Sequence, residues 1–340
     1  MKLHKILLII CRGGREVAVS TMSMKQQECA AGAGWFVKGE PAATRADDGL
    51  EIAYETLGPK GRTILLANGL GGRLYSWSPI VKDLAHDHRI LTWDYRGMFG
   101  SGSPADPAHL EVPWHADDAR AILDADGGGP AVLIGWSMGV QVALEFARRY
   151  PDRVAGLILI NGTYGRPVQT AFQPLFRVPC MGKVLRELIA FTLQHPPVLD
   201  AAARICSARH LVEILGGTMA KIRGKPEIKA MYCQYSADVF GDDFENFLRL
   251  FQMIDAHSAI EDLPHLPHRA LVMSGGFDMM TPAYQTRKIA RTMPNARHVH
   301  FPWATHFVII ESTDKVIPLI RQFLDEAYPP QHPSHNAHCC

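Results

Sequence analysis

An excess of charge of either sign is what this chain most conspicuously lacks. Lys and Arg number 35 against 34 Asp and Glu, a formal charge of +1, and no stretch gathers basic residues into a run. That balance leaves no electrostatic footprint for nucleic acid or for an anionic membrane surface. No apolar stretch approaches the ~18–20 residues a membrane helix needs, so stable membrane insertion is not expected. Cysteine is sparse in pattern: Cys11, Cys29, Cys180, Cys206, Cys233, Cys339 and Cys340 are odd in number, scattered and without a C-x-x-C pair. Both a disulfide framework and a zinc site are thereby disfavoured, and a reducing, cytoplasmic compartment is expected. Internal repeats are absent as well. What remains is an ordinary globular composition, 47% apolar and 20% charged, whose natural partner is a small molecule.

The termini read differently from the middle. Residues 1–34 form an N-terminal extension in which Lys2, His4 and Lys5 precede a short apolar run, an imitation of a secretion signal with a poor cleavage region. Met22 and Met24 offer alternative starts. Residues 329–340 are biased toward Pro, His and Cys, lack an apolar period and read as a disordered tail.

From about residue 50, short apolar runs alternate with helical periodicities. This is the pattern of a mostly parallel, twisted α/β sheet with helices on both faces. Strands are expected at 51–56, 63–67, 89–93, 131–135, 154–160, 269–274 and 296–301, and helices near 76–85, 115–124, 140–149, 282–293 and 314–326. The interval from Ile160 to Arg269 breaks the alternation with helical periodicity alone and is too long for a crossover. The expectation is a core of residues 35–161 and 263–328 with a helical cap at 162–262. Within the cap, Phe244, Phe247, Leu248, Phe251 and Ile254 fall at helical spacing.

One stretch carries chemistry outright. Gly135-Trp136-Ser137-Met138-Gly139 joins the apolar run Ala131 to Ile134 to a helical one, so a serine stands at the apex of a strand–turn–helix with a glycine on either side. A serine nucleophile needs a base, and the base needs a carboxylate to fix its tautomer. Asp278 follows the strand ending near Ser274, and Thr281-Pro282 behind it is a plausible helix cap. His306 follows the next strand, while His298 and His300 alternate within that strand. Chain order Ser, Asp, His puts all three at the C-terminal ends of parallel strands.

With these motifs in hand, the chain resembles the α/β-hydrolase fold superfamily, esterase- and lipase-like, over about residues 35–328. The resemblance rests on Gly135 to Gly139, on Gly275 to Pro282, on Thr305-His306-Phe307 with Glu311, and on Asp94 to Ser101. It implies Ser137 as nucleophile, Asp278 as orienting acid and His306 as general base. The oxyanion donors it implies are the amides of Met138 and of Leu70, in the turn Asn68-Gly69-Leu70-Gly71-Gly72. Asn68-Gly69 departs from the family's His-Gly pair. Trp136, Phe247, Phe251 and Trp303 are candidate pocket walls; no metal and no cofactor are implied. The expected activity is hydrolysis of a small or medium apolar ester through an acyl-enzyme. Thioester, lactone or carbon–carbon bond hydrolysis and cofactor-free perhydrolysis use the same triad, and a non-turnover ligand receptor is the alternative from another class. Oligomeric state is not encoded legibly.

Overall fold

In the computed structural model, the described residues are 35–328, apart from 171–179, 207–208 and 242; the expected N-terminal extension and C-terminal tail lie outside them. Eight strands form one sheet: β1 (Glu40–Arg45), β2 (Glu51–Leu57), β3 (Thr63–Ala67), β4 (Arg89–Trp93), β5 (Ala131–Trp136), β6 (Val154–Ile160), β7 (Ala270–Gly275) and β8 (Ala296–Phe301). Their order is β1-β2-β4-β3-β5-β6-β7-β8. The first two strands join antiparallel, and every pairing from β4 to β8 is parallel. All but β1 coincide with expected strands. That strand, Glu-Pro-Ala-Ala-Thr-Arg, lies at the sheet's edge with no residue fully buried, so it has no apolar alternation to betray it.

The period of two along the central strands sorts the core. Leu65, Leu91, Leu133 and Leu157 face one apolar layer, shared with the helices Val112–Asp126 and Met138–Arg149. Ile64, Ile90, Val132 and Ile158 face the other layer, shared with the helices Ser78–Leu84 and Thr313–Ala327. Burial on both faces explains why these strands read as continuous apolar runs. Between β6 and β7 the described residues carry helices and no named strand: Pro167–Thr170, Met181–Gln194, Pro196–Cys206, Arg209–Arg223, Glu227–Val239 and Phe244–Ala256.

Asp118, on the helix Val112–Asp126, is buried and forms a two-pronged ion pair with the fully buried Arg96 at 2.8 and 2.5 Å. One sequence expectation fails locally. Thr281 does not cap the helix Ala283–Thr292, whose N-cap is Pro282 with no side-chain bond; its hydroxyl is committed elsewhere, as the site shows.

Candidate active site

Ser137 follows β5 directly and opens the helix Met138–Arg149 with φ 57° and ψ −115°. A non-glycine residue pays ~1–3 kcal/mol for such backbone, and it persists only where the surroundings leave no other choice. They do so here through contact of main chains: a Cβ on Gly135 would lie 2.4 Å from the Gly139 carbonyl oxygen, and one on Gly139 only 2.0 Å from that of Ala67. The serine amide donates to Ile160 O at 3.1 Å on the neighbouring strand. The amide of Met138, at the helix N-terminus, is one of those that no intrahelical carbonyl can satisfy.

Two further loops leave the same edge of the sheet. His306 Nδ1 lies 2.9 Å from Asp278 Oδ2, and both side chains are buried. Asp278 Oδ1 accepts the amides of Met280 (2.9 Å) and Thr281 (2.8 Å), and Oδ2 accepts the Thr281 hydroxyl at 2.7 Å. These bonds fix the orientation of the carboxylate, and a histidine Nδ1–H donating to it leaves Nε2 as the ring's acceptor. The histidine's backbone is held from below: Trp136 Nε1 donates to His306 O at 3.0 Å, with the two rings 5.4 Å apart. The buried Glu311 carboxylate accepts the amide and hydroxyl of Thr305, the preceding residue.

Asn161 is a site residue that sequence reading passed over. At the end of β6 it takes φ 43°; its Oδ1 accepts Gly275 N (2.8 Å) and its Nδ2 donates to Thr305 O (2.8 Å). One amide thus ties the loop of the acid to that of the histidine. The available signal was Asn161-Gly162 at a strand's end, a pair that tolerates left-handed backbone.

The turn Asn68 to Gly72 packs against the serine. A Cβ on Gly69 would meet the Trp136 ring at 2.8 Å and the Ser137 Cβ at 3.3 Å. Asn68, the departure from the family pattern, anchors the turn: Nδ2 donates to Trp93 O (2.7 Å) and Oδ1 accepts from Trp77 Nε1 (2.8 Å). Tyr95 donates to the Asn68 carbonyl at 2.7 Å.

The four aromatics of the sequence reading scatter. Phe247 approaches the turn, its ring 3.4 Å from where a Gly71 Cβ would stand. Phe251 lines a separate cavity of about 410 Å³ with Arg166, Arg186 and Asp255. Trp136 is buried under the histidine, and Trp303 is exposed, its ring tilted against that of Phe277 at 5.8 Å. His298 and His300 are brought not to Asp278 but to Ser274 Oγ on β7, at 2.9 and 3.0 Å. Asp94 and Arg96 are structural: Asp94 pairs with Arg73 and accepts Gly100 N.

A strained serine after the central strand and a buried histidine–carboxylate pair on the same edge of a mostly parallel sheet define a class of hydrolytic enzyme. The chain belongs to the α/β-hydrolase fold family, whose profile matches residues 62–313. It is similar to RutD of Caulobacter segnis, named for carbamate hydrolysis, with 27% identity over 282 residues, 81% of this chain and 97% of that one. It is similar to the poly(3-hydroxyalkanoate) depolymerase of Ectopseudomonas oleovorans, 26% identical over 267 residues, 77% and 84% of the two chains. Among solved structures it resembles a thermophilic esterase from Thermogutta terrifontis, with TM-score 0.64 and 24% identity over 85% of this chain and 99% of that one. The protein is therefore an enzyme of the hydrolase class. No helix among the described residues is long and apolar enough to cross a membrane, and none of their His, Cys, Asp and Glu side chains gather into a metal-holding group.

Proposed function

We propose that the protein is a serine hydrolase of small or medium apolar carboxylic esters. The observation that carries this is a strained serine, Ser137, at the end of β5, on the same edge of the sheet as a histidine whose Nδ1 lies 2.9 Å from a buried carboxylate. In this reading the Ser137 oxygen attacks the ester carbonyl while His306 Nε2 takes its proton, and Asp278 stabilises the imidazolium. The amides of Leu70 and Met138 stabilise the oxyanion, each contributing on the order of 3 kcal/mol. His306 then protonates the departing alkoxide, and water, deprotonated by the same imidazole, cleaves the acyl-enzyme. The helices between β6 and β7 act as a cap, with Phe247 as the pocket wall nearest the turn; Trp136 serves as support beneath the base.

A polyester depolymerase among the relatives supports an ester bond; a relative named for carbamates makes a carbamate the second substrate to try. The test is a fluorophosphonate probe on the folded enzyme at neutral pH. Labelling is expected at Ser137 and is expected to vanish in Ser137→Ala; labelling elsewhere, or none, overturns the reading. A panel of aryl esters, thioesters, lactones and aryl carbamates then ranks the bond cleaved by kcat/KM.

A further inference from the structure

The turn that carries the Leu70 amide is soft by sequence, since Gly69, Gly71 and Gly72 surround a single side chain. Gly71 sits at φ +72°, a backbone setting glycine leaves as readily as it enters. Concerted rotation about Leu70 ψ and Gly71 φ would turn the Leu70 carbonyl over, and a carbonyl facing the reacting centre repels the oxyanion that its neighbouring amide is meant to stabilise.

Two tyrosine hydroxyls hold this turn by its carbonyls. Tyr95, from the core, holds Asn68 O; Tyr235, on the helix Glu227–Val239 of the insertion, donates to Leu70 O at 2.6 Å. From the same helix, Val239 packs so closely on the turn that a Cβ on Gly71 would lie 2.3 Å from its Cγ2. Residues earlier in the helix grip the other loop: the Tyr232 ring lies 4.6 Å from that of Phe307 at a tilt, and Tyr235 reaches the same ring edge-on at 6.1 Å. Arg223, ending the preceding helix, donates to Trp303 O and pairs with Glu311 at 3.4 Å. The insertion thus touches both the turn and the loop of His306. Burial pushes the Tyr235 phenol above its ordinary range, so the hydroxyl remains a donor throughout the working range of pH.

We propose that Tyr235 is a positioning residue for the oxyanion turn, pinning the Leu70 carbonyl so that it cannot turn toward the reacting centre and oppose the oxyanion beside the Leu70 amide. This rests on the serine-hydrolase reading and adds to it that the insertion, besides shaping a pocket, completes the catalytic geometry.

Tyr235→Phe removes one oxygen and keeps the ring against Phe307. Its kcat on an aryl ester should fall about 10- to 100-fold with KM within about twofold, because the loss is confined to the transition state. Affinity for a boronic acid, which forms a tetrahedral adduct on the serine, should fall by a similar factor, while affinity for the matching uncleaved ketone-free amide stays unchanged. Unaltered kcat and boronate affinity, or equal losses for boronate and amide, would overturn the proposal. Wild-type labelling by the fluorophosphonate probe separates this outcome from failure of the hydrolase reading itself. Should Tyr235→Phe lose its cooperative melt, Tyr235→His, which keeps a ring but cannot place a hydroxyl on Leu70 O, carries the same expectation and the same refutation.

Discussion

At the scale of single residues, the histidines separate by what they touch. His306 faces Asp278, whereas His298 and His300 share the hydroxyl of Ser274. His306→Ala should therefore lower kcat by at least about 10³-fold without shifting the melting temperature much, and Asp278→Asn should lower it by a comparable factor through the wrong tautomer. His300→Ala should leave kcat within a few-fold. Steady-state kinetics on the three variants with matched thermal melts would check this, and equal losses at His306 and His300 would mean that the base has been misassigned. Ser137, Asp278 and His306 were legible because each stands just past a strand with turn-forming neighbours. The contacts that hold them were not, since Asn161 and Trp136 act across 100 residues or more of chain in bonds that no local pattern encodes.

Among the elements, the parallel strands declared themselves because both faces are buried, giving uninterrupted Val, Ile and Leu. The edge strand β1 was silent for the opposite reason: one face is only half-buried and the other is exposed. The helix Phe244–Ala256 shows the limit of periodicity: it correctly implied one apolar face but could not say what that face meets. Phe247 meets the turn by Gly71, while Phe251, one turn on, borders a cavity shared with Arg186 and Asp255. Phe247→Ala should accordingly shift the chain-length preference across an ester series by about 1–3 kcal/mol per methylene. Phe251→Ala should shift it far less. The comparison is made on kcat/KM for acetyl to octanoyl esters, and a larger shift at Phe251 would move the pocket to the other side of the helix.

Over the whole molecule, acid stability should carry the mark of one buried imidazole. His115 is fully buried, its Nε2 donates to Leu110 O at 3.1 Å, and its Nδ1 has no hydrogen-bond partner among the described residues. Burial first, and the charge of Arg96 second, push its pKa down to about 3 from the ordinary 6.5. Between those values the unfolded chain binds a proton that the folded one refuses, so folding stability is intact above about pH 6.5 and declines as pH falls. The slope is about 1.4 kcal/mol per pH unit from this group. Urea melts of the wild type and of His115→Gln should show a stability gap that narrows as the pH is lowered from 7 to 5; a constant gap would show that the ring does not stay neutral in the fold.

The order in which the strands leave the ribosome gives the β6–β7 insertion a further meaning. Growth from the N-terminus delivers β3, β4, β5 and β6 together, so the serine strand has both of its neighbours once Ile160 has emerged. Roughly 110 residues of the insertion must then be made before β7 can pair with β6, and joining ends that far apart adds a closure entropy that grows as ~0.9 kcal/mol times the logarithm of the intervening length. In the proposed triad the acid and the base follow these last two strands. That reading implies that a nascent chain ending before β7 carries Ser137 without its base, and that reactivity arises only after β7 and β8 have joined the sheet.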